Sequence, residues 1–291
     1  MATDNLHNEK PTAAISTFQF SPTVRINFQV DGDPSRPPMV LLHGFGASLR
    51  TWDEIRPFLR SSYHLYLLDL KGFGLSSRSP DDRYSLSDQA EIVRAFLSEK
   101  ALHGVTLVGH SYGGAVALLV AADHVADEDA ALQRLVLLDS PIDPTSLPFF
   151  VRLLRVPILN YFIMIAVPAT LRAFVTLRML IKDTRKVTCE RIQRYATFFR
   201  IPGTARSFIR AAEQVRPQDA HSLIERVRSV TCPVLLIWGA SDRIVSVAQA
   251  HTLKSMFSRS TLVLIPSCGH IPAEESPAVT AAEILSWTGR R

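Results

Sequence analysis

Residues 106–118 read Thr106-Leu-Val-Gly109-His110-Ser111-Tyr112-Gly113-Gly114-Ala115-Val116-Ala117-Leu118. A β-rich run ends at Gly109, and an apolar helical pattern opens directly after it. Gly109-x-Ser111-x-Gly113 in this strand–turn–helix setting is the G-x-S-x-G elbow, which presents a serine hydroxyl on a sharp turn. The glycines have a steric reason: around a serine in a strained turn, the neighbours must lack side chains for strand and helix to approach closely. The turn lifts Oγ above the sheet edge and sets a helix N-terminus beneath it, where the positive end of the dipole favours a developing anion. The pentapeptide alone arises by chance; its setting makes it specific. Ser111 is the candidate nucleophile, and the competing reading is a helix-capping serine, which would not need glycine on both sides.

A serine hydroxyl is a weak nucleophile without a base, and a neutral imidazole needs a third group to hold its tautomer. Both are expected past later strands, in the chain order Ser, acid, His. Asp242 follows Val234-Leu-Leu-Ile-Trp-Gly-Ala-Ser241, and His270 follows Leu262-Val-Leu-Ile-Pro-Ser-Cys-Gly269, each just past a strand-like run. Asp242 is the candidate orienting acid, with Asp139, also at a strand end, as its rival. His270 is the candidate base, with His43 and His110 as competitors. An earlier strand feeds Val40-Leu-Leu-His43-Gly44-Phe45-Gly46. There Gly44 lets the loop turn and Phe45 N–H can point to the same spot as Tyr112 N–H. These two amides are the candidate oxyanion hole; losing one such donor costs about 2.7–4 kcal/mol of transition-state stabilisation. The Tyr112 side chain is read as a pocket wall.

Along the chain, short apolar runs alternate with helical patterns over the first 140 residues or so, which points to a parallel sheet with crossover helices. The strand candidates are 17–20, 25–30, 39–43, 65–70, 106–109 and 135–139. A helix is expected to open at Ser85 or Ser87, with Leu86, Ala90, Val93 and Leu97 on one face. From Ser140 to Arg228 the alternation stops, and the sequence reads as several short Arg-rich helices. Strands return at 234–238 and 262–265. A helix starts at Ser246, with Gln249 completing a capping box, and a last one follows Ser276-Pro277. The expected layout is a discontinuous α/β domain, 1–139 plus 229–291, with a helical cap at 140–228 inserted after strand 6.

Taken together, these motifs resemble the α/β-hydrolase fold, in the branch of capped esterases, lipases and C–C hydrolases. The resemblance rests on His43-Gly-Phe-Gly46 with Trp52, Asp69-Leu-Lys-Gly-Phe-Gly74 with Ser76, Gly109 to Gly114, Trp238-Gly-Ala-Ser-Asp242, and Gly269-His270 with Glu274. It implies a mostly parallel eight-stranded sheet flanked by helices, with a cap covering the sheet's C-terminal edge and shaping the pocket. By the same resemblance Trp52 is a candidate pocket residue, with a buried core tryptophan as the equal alternative; Ile271, next to the candidate base, is a further candidate. The expected activity is serine hydrolysis of carboxylic esters of apolar, modest-size substrates through an acyl-enzyme, without metal or organic cofactor. Thioester, lactone and small-amide hydrolysis and perhydrolysis stay open on the same residues, and so do two readings further off. One is a C–C hydrolase of ring-cleavage dienoates, although such enzymes carry a tryptophan after the histidine where this chain has Ile271. They also use a cap arginine for a carboxylate, for which Arg191 and Arg194 are candidates. The other is a ligand receptor that keeps the fold. Epoxide hydrolases and dehalogenases of this fold use an aspartate nucleophile, against which Ser111 argues.

The 291 residues are 47% hydrophobic and 20% charged, which excludes a disordered or fibrous chain. Three widely spaced cysteines without a CxxC pair point to neither a disulfide framework nor a zinc ribbon. Met1–Lys10 lacks the apolar core of a signal peptide, and the 16-residue apolar run 156–171 falls short of a spanning helix; a cytoplasmic protein is expected. The net charge of +5 is uneven, since residues 149–230 hold fifteen Lys and Arg against five Asp and Glu. No nucleic-acid motif accompanies that charge. Basic residues beside apolar runs leave two readings of the cap: a surface lying on an anionic bilayer, or a lid closing its apolar face over the pocket.

Overall fold

The computed structural model describes residues 15–124, 132–142, 147–216 and 220–289. The Met1–Lys10 segment, read above as lacking a signal-peptide core, lies outside the described residues. Eight strands form one sheet: β1 Ile15–Ser21, β2 Val24–Asp31, β3 Pro38–Leu42, β4 His64–Leu68, β5 Val105–His110, β6 Leu132–Leu138, β7 Val234–Gly239 and β8 Ser260–Ile265. Their order is β1-β2-β4-β3-β5-β6-β7-β8. The β1–β2 and β2–β4 pairs are antiparallel. From β4 to β8 every pair is parallel, so their C-terminal ends share one edge. The eight-stranded, mostly parallel sheet expected from the sequence is therefore what forms.

Helices α1 Arg56–Leu59, α2 Leu86–Glu99 and α3 Tyr112–His124 precede β6. Between β6 and β7 lie α4 Phe149–Leu154, α5 Leu159–Ala166, α6 Ala169–Leu180, α7 Cys189–Phe199, α8 Thr204–Gln214 and α9 Ala220–Arg228. Then come α10 Val247–Met256, α11 Pro272–Glu275 and α12 Pro277–Gly289.

The central strands are apolar on both faces because helices cover both. Alternate residues serve different cores. Val40, Leu42, Leu107 and Leu135 pack with Ala90 and Val93 of α2 and Val116 of α3. Met39, Leu41, Val108 and Val136 face the other way, onto Ala281 and Ile284 of α12. Ser85 opens α2 through a reciprocal capping box with Asp88, and Leu86, Ala90, Val93 and Leu97 form its buried face. The capping box expected at Ser246 does not form. Ser246 Oγ accepts from Ala248 N, while Gln249 Oε1 accepts from Ile142 N at 3.1 Å. A tertiary partner wins Gln249 from the local one. The strand expected to run to Leu70 stops at Leu68: Leu70 N donates to the His43 ring (3.0 Å) and not to a neighbouring strand, while the buried Asp69 carboxylate gathers Leu49 N (2.7 Å), Leu75 N (2.8 Å) and the Asn27 side-chain amide (2.6 Å).

No single helix among the described residues is long and apolar enough to cross a membrane; α5 and α6 together have the composition but bend by 110° at their junction.

Candidate active site

The elbow at Ser111 is built by steric exclusion. Its φ is +50°, a region that residues other than glycine seldom adopt. Ser111 N is held by Leu138 O at 2.9 Å. A Cβ on Gly113 would stand 2.4 Å from the carbonyl oxygens of Leu42 and His43, and one on Gly109 would stand 2.5 Å from Gly113 O. Any side chain at either position would push β3, β5 and α3 apart. Close non-bonded packing around the glycines thus sets the hydroxyl at the sheet edge.

The loops after β7 and β8 bring the other two side chains to it. Ser241 N donates to Cys268 O at 2.9 Å, which ties the two loops together. His270 Nε2 lies 2.9 Å from Ser111 Oγ, and His270 Nδ1 lies 2.7 Å from Asp242 Oδ2. The other Asp242 oxygen accepts from Ile244 N (2.7 Å) and Val245 N (3.1 Å). Burial opposes ionisation of Asp242, but the His270 ring and these donors outweigh it and hold the pKa below the ordinary carboxylate value. An ionised Asp242 keeps the imidazole proton on Nδ1, leaving Nε2 to accept from the serine hydroxyl.

Asp139, the rival acid, stands beside this line without entering it. Its Oδ1 accepts from Gly239 N at 3.0 Å, and burial followed by the nearby Asp242 charge raises its pKa well above the usual value. Two adjacent buried carboxyls cannot both ionise, and the proton stays on Asp139. Asp139, Asp242 and His270 are also the one three-residue set among the described residues spaced like metal ligands, though Asp242 and His270 already engage each other.

The competing histidines are placed elsewhere. His43 Nδ1 donates to Gly44 O at 2.8 Å and its Nε2 accepts from Leu70 N at 3.0 Å; burial lowers its pKa. His110 Nε2 donates to the His270 carbonyl at 2.7 Å, and burial with the adjacent His270 pushes its pKa down to about 3. Both are neutral and structural.

Tyr112 is the first residue of α3, so its N–H has no intrahelical acceptor. The Phe45 loop lies against the elbow: a Cβ on Gly44 would come within 3.4 Å of Ser111 Cβ. Neither the Phe45 nor the Tyr112 amide has an acceptor among the described residues.

Above these groups lies a cavity of about 300 Å³. Gly44 to Ala47, Ser111, His270 and Ile271 form its floor, and Phe150, Met164, Leu171, Val175, Tyr195 and Phe199 roof it. Ile271 is among the residues that line this cavity. Two other expected pocket residues are not. Trp52 is fully buried in the opposite core with Met39 and Leu41, because its short helical turn packs beneath the sheet. The Tyr112 ring turns inward onto Phe45 (5.8 Å) and Phe73 (5.7 Å), and its hydroxyl reaches Tyr84 O, so only its backbone faces the site.

Arg191 and Arg194 do not line the cavity either. Both bind Glu54 and the buried Glu274, whose carboxylate also accepts from Tyr195 Oη. The charged residue at the cavity wall is Arg172 of α6, whose Nε donates to Val167 O at 3.1 Å. The Glu274 cluster and the aromatic roof of Phe150, Phe199 and Phe208 escaped the sequence reading; the i, i+4 pair Arg191 and Tyr195 on an amphipathic helix was the available signal. Glu274→Ala will leave two nearly buried guanidiniums without the buried one of their two shared anions, with only the more exposed Glu54 remaining, and lower unfolding free energy by about 3 kcal/mol, as read from urea denaturation.

A second carboxylate makes a similar tie. Glu275 accepts from Gly269 N (2.8 Å), Lys182 N (3.1 Å) and Asp183 N (2.8 Å). His270 N also donates to Leu180 O at 2.8 Å. The end of α6 and the loop carrying His270 are therefore joined.

Residues 39–283 match the sequence profile of the Alpha/beta hydrolase family. The 2-hydroxy-6-oxo-6-(2'-aminophenyl)hexa-2,4-dienoic acid hydrolase of Metapseudomonas resinovorans is 28% identical over 260 residues, covering 87% of this chain and 84% of its own. The mouse monoacylglycerol lipase ABHD6 is 28% identical over 268 residues, covering 87% of this chain and 75% of its own. Among solved structures, Cfl2 of Burkholderia cenocepacia superposes with a TM-score of 0.81 at 22% identity, covering 96% of this chain and 98% of that one.

Proposed function

This chain belongs to the alpha/beta hydrolase family, and from that premise we propose that it is a serine hydrolase cleaving carboxylic esters of apolar, modest-size substrates through an acyl-enzyme, with residues 140–228 as its cap. The observation that supports this reading is the hydrogen-bonded line Asp242–His270–Ser111 opening into an apolar cavity.

In this mechanism Ser111 Oγ attacks the ester carbonyl while His270 Nε2 takes the hydroxyl proton. Asp242 holds the ring and stabilises the imidazolium that results. The carbonyl oxygen becomes an oxyanion, received by the amides of Phe45 and Tyr112 at the N-terminus of α3. The C–O bond to the leaving group breaks as His270 returns its proton to the alcohol. Water then attacks the acyl-serine with the same base, and Ser111 is restored. No step draws on a metal or organic cofactor.

Similarity to the dienoic acid hydrolase keeps C–C cleavage in view, but neither Arg191 nor Arg194 is free to meet a substrate carboxylate, and Ile271 stands after the base. The ester reading is tested with p-nitrophenyl esters of graded chain length. Hexanoate and octanoate are expected to be turned over with higher kcat/KM than acetate, because the cavity wall is almost wholly hydrocarbon. A strong preference for acetate would overturn the substrate class, and no turnover of any ester would overturn the activity.

A further inference from the structure

We propose that the outward face of α5 and α6 is a docking surface for an anionic lipid bilayer. Of the fifteen large apolar side chains exposed among the described residues, ten fall between Phe149 and Val175. They are ordered by helical geometry. Tyr161 and Phe162 each stand one turn before Ile165, which places the three on one side of α5, with the exposed Ile158 just ahead of the helix, and Leu171, Phe174 and Val175 show the same i, i+3, i+4 spacing on α6. Ile158 is 85% exposed, Ile165 76% and Phe162 63%. Meanwhile Met164 of α5 and Ala169, Ala173, Leu177 and Leu180 of α6 already supply the buried side of each helix. A helix apolar all round requires cover on both sides. The turn into α5 is also strained: Ile158 has φ +68°, a region a β-branched residue resists, yet its side chain points to solvent.

Charge selects the occupant. Residues 149–182 carry Arg152, Arg155, Arg172, Arg178 and Lys182 and no acidic residue. Arg152, Arg155 and Arg178 make no ion pair among the described residues. A second copy of this face would set cation against cation. A bilayer with anionic headgroups offers hydrocarbon to the apolar stripe and negative charge to the arginines around it. The 110° bend between two short helices suits lying in the interface rather than crossing it. Leu171 and Val175 are exposed on this face and also line the cavity above Ser111, so the docked surface is the outer side of the cavity wall.

The full chain is tested by flotation with vesicles of phosphatidylcholine, with and without phosphatidylglycerol. Binding to the anionic vesicles is expected to exceed binding to the neutral ones by on the order of tenfold, and to fall as salt rises. The double variant Phe162→Glu, Ile165→Glu is expected to lose binding while keeping its thermal melt and its rate on a soluble short-chain ester, since neither residue touches the cavity. Arg152→Glu with Arg155→Glu is expected to abolish the preference for anionic lipid. The proposal is overturned if the wild-type chain ignores anionic vesicles, or if the Phe162 and Ile165 variant binds them equally. It is overturned too if the wild-type chain is a dimer that this variant makes monomeric, since the face would then be a self-interface. Flotation reads binding alone, so its outcome is independent of whether esters are the substrate.

Discussion

Replacing Ser111 by Ala will lower kcat on an ester substrate by about 10⁵- to 10⁶-fold while leaving the fold intact. The change removes one oxygen from a half-buried position, and the backbone hydrogen bond of residue 111 to Leu138 O remains. What disappears is the atom that would form the acyl bond in the proposed mechanism. His270 and the amides of Phe45 and Tyr112 stay in place, so weak hydrolysis by oriented water and oxyanion stabilisation persists. Circular dichroism and thermal melting should match the parent, with initial rates on p-nitrophenyl hexanoate reading the loss. A variant retaining a tenth of the parental rate would mean that the reaction does not pass through this hydroxyl.

Asp242→Asn is expected to lower kcat by about 10⁴-fold near neutral pH. The amide can present N–H to His270 Nδ1, which stabilises the tautomer that places the ring proton on Nε2, facing Ser111. The base can then no longer accept the hydroxyl proton, and the imidazolium loses its counter-charge. Asp139→Asn is the matched control. Asp139 is held protonated by burial and by Asp242, so an amide there changes no charge and its oxygen can still accept from Gly239 N. Its kcat/KM is expected to stay within about tenfold of the parent, the range of a neighbour that only packs the acid. If the two variants exchanged places, the acid would be the residue after β6 and not the one after β7.

Much of the sheet and the line of three side chains was legible because both depend on local pattern. Apolar runs such as Val234 to Trp238 mark strands buried on two faces, and an elbow needs glycines two residues either side of its serine. Asp242 and His270 follow strands that are parallel neighbours, so chain order and strand ends suffice to place them on one rim. What faces the cavity is another matter. Trp52 and the Tyr112 ring turn away from it because side-chain direction follows packing with Leu41 and Phe73, residues distant in sequence. Arg191 reads from sequence as free for a substrate because its partners are remote: Glu54 lies 137 positions away and Glu274 lies 83 away, and the Arg191 and Tyr195 spacing on α7 hints at a buried polar cluster without naming either acid. Gln249 makes the same point in miniature, its local cap forgone for Ile142.

The grip of Glu275 on both the end of α6 and the loop before His270 has a mechanical result. One carboxylate spans the two, and the His270 amide adds a bond to Leu180 O, so α6 cannot lift at that end without dragging the imidazole loop with it. This end is a pivot. If the roof widens to admit a molecule, it is expected to swing from the far side, at α4 and α5, with Asp242 and His270 left in place.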